Sequence, residues 1–209
     1  MLCAGLAWAV TLTVTASAQQ LLDRVVARIG NYAITLTDVQ AALGLGLIQP
    51  QQGAEPIGPG TQQMIDRQLV LTEVVRFPPP EPDSGAIDKE VARLKANAGA
   101  QLPALAQSTG LSETRIRELA RDDLRILSYL DQRFGTTVQV SDDEVARYFQ
   151  EHESEFTRGG ELMPFDEGET LARQRASAER RRAIIDQWTR DLRTRADVTV
   201  NPPAPSPNQ

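Results

Sequence analysis

Residues 23–40 read DRVVARIGNYAITLTDVQ, and this stretch decides how the rest of the chain is organised. Val25, Val26 and Ile29 suit a short strand, Gly30-Asn31 is a turn signal, and Tyr32 to Leu36 is a second β-prone run. A small hairpin is therefore expected. Thr37 then starts a helix. Gln40 lies three residues on, which allows a capping box in which each side chain satisfies the other residue's free backbone N–H. Val39, Ala42 and Leu43 give that helix an apolar side.

Downstream the pattern is helical. Gly44 to Gly60 holds five glycines and three prolines and reads as a loop. Thr61 opens a helix that ends near Phe77. Its Met64, Ile65, Leu69, Val70, Leu71, Val74 and Val75 cover most of the circumference, the signature of a helix buried at the centre of a fold. Residues 78–82, PPPEP, end it. Ser84 can cap a helix with Ile87, Val91 and Leu94 on one side, and a short helix around Leu102 to Gln107 follows. Ser112 caps a long helix, with Leu111 placed for a hydrophobic staple to Ile116. Ile116, Leu119, Ala120, Leu127 and Leu130 mark its expected buried stripe, and Gly135 stops it. Val138 to Val140 is a short extended connector.

Ser141-Asp142-Asp143-Glu144 is a capping box with acids in the first turn, where the helix dipole favours them. Val145, Tyr148, Phe149, His152 and Phe156 fall on one face of one helix. Gly159-Gly160 breaks the chain. A last helix runs from about Phe165 to Arg195, with Ile185, Trp188 and Leu192 as its seam. Val198 to Val200 is too short a strand to stand alone, so it is expected to pair with the opening hairpin. Consecutive helices without alternating strands argue against a doubly wound sheet. The expected fold is mainly α with a small β-sheet, a multi-helix module closed by a C-terminal helix and strand.

The ends of the chain have their own composition. Leu2 to Thr15 carries no charge, and Ala16-Ser17-Ala18 is a small-x-small cleavage pattern. Residues 1–18 are expected to be an export signal cut before Gln19, and residues 19–200 one folded domain. Residues 201–209, with four prolines, are expected to form a disordered tail. No Lys or Arg stands at the start, which leaves room for an upstream start codon. An uncleaved anchor is the other reading of the first segment, but the run is shorter than the ~20 residues a spanning helix needs. Cys3 is the one cysteine, so the chain after cleavage has no thiol for a disulfide, a metal or nucleophilic catalysis. The 209 residues are 41% apolar, 24% charged and 5% aromatic, enough for one core filled mostly by Leu, Val, Ile and Ala. The net charge of −6 speaks against a nucleic-acid partner, because phosphate binding needs clustered excess Lys and Arg.

Residues 22–40, LDRVVARIGNYAITLTDVQ, resemble the opening of the SurA family of periplasmic chaperones. Asp23, Val25 and Val26, and with one extra residue before it Ile29, followed by Ile34, Thr37 and Asp38, fit that family's D-x-[VI]-[VA]-x-[VI]-x-x-x-x-[IV]-[ITL]-x-[ST]-[DE]. Residues 64–73, MIDRQLVLTE, are similar to its L-I-x-x-x-L-[IL]-L-x-E helix. Residues 140–156 resemble the segment that leads into a parvulin-type prolyl isomerase domain, and residues 179–200 its closing helix and strand. The order of the motifs is more specific than any one of them. No parvulin domain follows Phe156, since only Thr157 to Asp166 separate it from the last helix and an independent domain needs at least ~50 residues. The single histidine also departs from the paired histidines of parvulin sites. The resemblance therefore implies a periplasmic holding chaperone without an isomerase, not an enzyme, needing no cofactor or metal. Its partners would be unfolded or partly folded exported polypeptides, outer-membrane proteins among them. It would have no nucleic-acid partner and no stable membrane span after signal cleavage, and it could form a homodimer. A non-catalytic assembly partner of the envelope and a degenerate prolyl isomerase are the alternatives.

Few residues carry chemistry. His152 can be read as a general base or metal ligand, or as a packing histidine at the edge of the core, and with no second His or Cys to join it the packing role is favoured. Asp122-Asp123 and Asp142-Asp143 are read as solvated faces, since neighbours on one helix do not face each other. No phosphate-cradling or nucleophile-elbow motif occurs. Residues 173–182 hold five arginines against one Glu, read as a solvated helix face, with an acidic client segment or anionic head groups as other partners. Client binding needs exposed apolar area rimmed by polar groups. Phe77, Tyr129, Phe134, Tyr148, Phe149 and Phe165 are the bulky candidates for a peptide-binding surface, with plain core as the competing role of each.

Overall fold

The computed structural model describes residues 23–50, 55–135 and 138–201. The expected export signal, its cleavage point and residues 202–209 of the expected disordered tail lie outside the described residues. In chain order the elements are β1 (Val25–Ile29), β2 (Tyr32–Thr35), α1 (Leu36–Gly44), α2 (Ile57–Arg76), α3 (Ser84–Ala98) and α4 (Leu102–Thr109). Next come α5 (Glu113–Phe134), α6 (Asp142–Glu151), β3 (Thr157–Arg158), β4 (Glu161–Leu162), α7 (Phe165–Arg195) and β5 (Val198–Val200). The fold is mainly α with a small β-sheet, as expected.

The sheet joins the two ends of the described chain. Its strand order is β2-β1-β5, all antiparallel, with Ala27 opposite Val200 and Ile29 opposite Val198. The Gly30 amide donates to Asp197 O at 2.9 Å, and Asn201 donates from its backbone to Val26 O and from Nδ2 to Val25 O, each at 2.9 Å. One face of the sheet is apolar and closes on α1 and α2: Val26, Ile34, Val39, Ile65 and Leu69 share one cluster. Leu45, Leu94 and Ile116 tie α3 and α5 to the end of α1. Val70, Val74, Ile126 and Tyr129 join α2 to α5, with Trp188 of α7 against them. A separate cluster of Val145, Phe149, Phe156 and Ala172 holds α6 to the first half of α7. At about 1.5 Å per residue, α7 is about 46 Å long, and it serves both regions.

Several element starts differ from the expectation. The first cap is Thr35, not Thr37: Thr35 Oγ1 accepts from Asp38 N at 3.2 Å, and Thr35 N donates to Asp38 Oδ2 at 3.0 Å. Asp38, the third residue of the first turn, is the better partner because it is a carboxylate near a helix N-terminus. Thr37 turns instead to Asp23, with its hydroxyl and its amide both donating to that carboxylate. α2 starts at Ile57, so Gly58, Pro59 and Gly60 are helical. Pro59 lies in the first turn, where the N–H it lacks would have no helical partner. Gly60 is buried against α1; a Cβ there would lie 2.9 Å from Val39 Cγ1. α3 is capped by Asp83 rather than Ser84, its Oδ1 accepting from Ala86 N at 2.8 Å.

The stripe of α5 also shifts. Ile116, Ala120, Ile126, Tyr129 and Phe134 are buried, whereas Leu127, expected inside, is 56% exposed. The Ser141–Glu144 capping box is present. The helix behind it ends at Glu151, because His152 leaves helical geometry (φ −122°, ψ 39°). Phe156 reaches the same core from a 3₁₀ turn, not from one continuous helix face. The Gly159-Gly160 break is a tight hairpin between β3 and β4. Both glycines have positive φ, 62° and 88°, as a two-residue turn with the twist of a β-ribbon requires.

Two outcomes follow from this packing. Gly60→Val should cost about 1–3 kcal/mol in denaturant unfolding, because the added methyls meet Val39 where α1 and α2 touch. A second check is the acid side of the stability curve. At Asp23, burial works to raise the carboxyl pKa, but hydrogen bonds from Thr35 and Thr37 outweigh it and hold it below the usual range. At Glu144, the Ser141 amide is the largest cause of a lowered value. Both groups therefore contribute stability above their unfolded pKa of about 4, and lose it as pH falls through the lower folded values. The melting temperature should drop between about pH 5 and pH 2, and Asp23→Asn with Glu144→Gln should flatten that drop.

Candidate functional site

α2 is apolar around most of its surface, and its neighbours β1, α1, α5 and α7 do not cover all of it. The uncovered side forms one wall of a groove of about 360 Å³ between α2 and α5. Met64, Leu71 and Val75 of α2 face Leu119 of α5, with Tyr32 of β2 at one end. Val75 is 69% exposed, a correction to a helix expected to be buried all round. The rim is polar: Gln68 and Thr72 on one side, Arg115, Asp122 and Arg125 on the other.

The groove is braced by ion pairs that fix α2 on α5. Arg67 Nη1 lies 2.5 Å from Asp123 Oδ1, and the two side chains are 10% and 14% exposed. Asp123 also meets Arg93 Nη2 at 3.4 Å, and Arg93 grips the buried Glu90 through Nε at 2.9 Å. Asp123 is thus no solvated acid, as its pairing with Asp122 in sequence suggested. It is the centre of a network joining α2, α3 and α5. Arg67 Nη2 and Arg125 Nε are shielded from solvent and donate to no acceptor among the described residues. Glu81, in the connection before α3, is held to Arg121 of α5 by paired hydrogen bonds, and that contact lowers its pKa.

On the adjacent face of α2 lies a second cleft of about 360 Å³, walled by α5 and α7. Leu69, Trp188, Leu192 and Ala196 make its apolar part, and Glu73, Arg76, Arg133 and Arg195 its charged part. Thr72 lines both clefts and forms the ridge between them. Trp188 is packed against Tyr129 and Phe134, with ring centroids at 6.0 and 5.3 Å, and Arg133 Cζ sits 5.2 Å from the Trp188 ring.

The six aromatic candidates separate by burial. Tyr129, Phe134 and Phe149 are sealed in the core, which corrects their assignment to a client surface: Tyr129 and Phe134 pack on Trp188, and Phe149 on Phe156. Tyr148 is half-buried, stacked on His152 at 4.0 Å and bonded through its hydroxyl to Glu155. Phe165 is 37% exposed but stands edge-on to Phe149. Phe77 alone of the six is more than half exposed, at 53%, with the Arg76 guanidinium 5.2 Å from its ring. Met64, Leu71 and Val75 were missed as surface residues. The signal for them was a helix with more apolar faces than its neighbours can cover.

The remaining polar candidates make local contacts. His152 Nδ1 lies 3.0 Å from Tyr148 O, beneath the Tyr148 ring, as a packing histidine would. Arg173, Arg175, Arg180 and Arg181 each meet a carboxylate, those of Asp142 and Glu169, Glu155, Glu144 and Asp131. Among the described residues no three His, Cys, Asp or Glu side chains are grouped to hold a metal, and no helix is long and apolar enough to cross a membrane. No protein-family model matches the sequence, and no curated protein is found similar to it.

The Arg67–Asp123 pair gives a direct test of what braces the groove. Removing either partner leaves a shielded charge, so Arg67→Met or Asp123→Leu alone should cost about 3–5 kcal/mol. The double variant should recover most of that loss, and a double-mutant cycle by urea unfolding measures the difference.

Proposed function

We propose that the protein is a non-catalytic holding chaperone of the SurA type, exported to the periplasm, which shields unfolded or partly folded exported polypeptides, including outer-membrane proteins. The observation that carries this is the open groove between α2 and α5, with Met64, Leu71 and Val75 on its wall and a polar rim around it. Apolar area of this kind, left uncovered and edged by polar groups, is what transient binding of an apolar segment requires. Phe77, exposed just past the end of α2, adds an aromatic contact beyond the groove.

The sheet supports the same reading. Asp197 and Asn201 bond to β1, so by alternation the backbone groups of Val198 and Val200 point to the open edge of β5. An extended client can pair with such an edge whatever its side chains. The SurA-like order of motifs from Asp23 to Val200 agrees with it, and the mechanism needs neither ATP nor metal: a client segment buries itself and leaves reversibly.

The test is an aggregation assay with several denatured clients, a barrel protein among them. The chain should suppress light scattering near stoichiometric ratios. Val75→Glu should weaken suppression severalfold without loss of helical signal, since Val75 is already exposed, whereas Leu127→Glu, outside the groove, should behave as the parent. No suppression with any client would remove the proposal, and a concentration-dependent mass in its place would favour a dedicated assembly partner.

A further inference from the structure

We propose that the cleft between α2, α5 and α7 binds client segments in which a carboxylate stands beside apolar side chains, so that the chaperone selects acidic-apolar stretches. This rests on the holding function above and names the client chemistry that this cleft prefers.

The chain carries a net charge of −6, yet the cleft reverses that sign: Arg76, Arg133 and Arg195 line it against the single acid Glu73. Several surface arginines elsewhere are matched with acids, although the exposed Arg28, Arg158 and Arg182 make no ion pair among the described residues. Arg115, Arg117, Arg121, Arg173, Arg180 and Arg193 all have carboxylate partners. Among the described residues Arg76 and Arg195 make no ion pair; Arg76 lies against the Phe77 ring, and Arg195 donates from Nε to Asp191 O at 2.9 Å. Two guanidiniums without a carboxylate, flanking an apolar floor, are complementary to a carboxylate on an apolar segment. The guanidinium fork meets a carboxylate in two parallel hydrogen bonds, a stronger contact than a neutral amide can make. The floor of Leu69, Trp188 and Leu192 supplies the apolar half of the recognition.

Trp188 makes the test direct. The sequence has two tryptophans, Trp8 and Trp188, and Trp8 lies outside the described residues, so full-length Trp8→Phe reports from the cleft alone. End-capped peptides alternating Leu with Glu, with Gln or with Lys are titrated while Trp188 emission is followed. The Leu-Glu peptide should shift the emission and bind about tenfold more tightly than Leu-Gln, with added salt narrowing the gap. Arg76→Gln with Arg195→Gln, both exposed positions, should bring Leu-Glu down to the Leu-Gln affinity and leave Leu-Gln unchanged. Equal affinity for the two peptides, a preference that survives in the double variant, or a Trp188 response to phosphatidylglycerol vesicles but to no peptide would each overturn the proposal. Aggregation suppression that persists while the Glu preference is absent removes the charge selection alone. Leu-Glu binding at Trp188 in a chain that suppresses no client's aggregation removes the general holding function and leaves the cleft's chemistry standing.

Discussion

The antiparallel pairing of β1 with β5 is the constraint on which the rest of the structure depends. β1 is the central strand of the sheet, and without β5 it would expose a row of backbone groups beside the apolar cluster of Val26, Ile34 and Ile65. Closing that edge requires the chain to return from α6 to its own beginning, and α7 makes the return in one helix. The second half of α7 therefore lies along α2 and α5, and its Trp188 fills the space beside Tyr129 and Phe134. The same course leaves a cleft where α7 and α2 diverge from α5. That cleft is a by-product of how a long, sparsely apolar helix is tied down at its far end, whereas the groove between α2 and α5 has no α7 residue in its lining.

Charge does much of the positioning that a richer core would otherwise do. α7 buries only Gly168, Ala172 and Ala176, all in its first half. Its hold on the body is supplemented by arginine–carboxylate contacts such as Arg181 with Asp131 and Arg193 with Asp66. Exposed pairs of this type contribute little singly, typically under about 1 kcal/mol each. The shielded Arg67–Asp123 contact is different in kind. Its gain is offset by the cost of removing both charges from water, so its effect is to fix the register of α2 on α5 more than to add stability.

The order of elements was legible in the residues because it rests on local signals. Gly30-Asn31, the proline run after Phe77, Ser112 and Ser141 each act within a few residues, and each marks an element edge in the structure. The first helix start was misplaced because two threonines and two N3 partners compete there, and the winner is set by a contact between Thr37 and Asp23 that lies fourteen residues apart in sequence. The candidate surface was less legible. Tyr129, Phe134 and Phe149 share bulk and apolarity with Phe77, and only the packing of α7 and α6 separates them from it. Leu127 and Ile126 differ by about 100° around α5, a distinction periodicity blurs when a stripe drifts along a long helix. The ribbon at Gly159-Gly160 went unread because two-residue strands have no pattern of their own.

Ala27 is placed against Val200, nearly the whole described chain away. A ribosome releases roughly 5–20 residues per second, so the opening hairpin waits on the order of ten seconds before its missing strand exists. During that interval its vacant side is a template for any extended neighbour, including another nascent copy. The chain thus passes through an unfinished state, with an unpaired strand edge beside an apolar cluster, on its way to maturity.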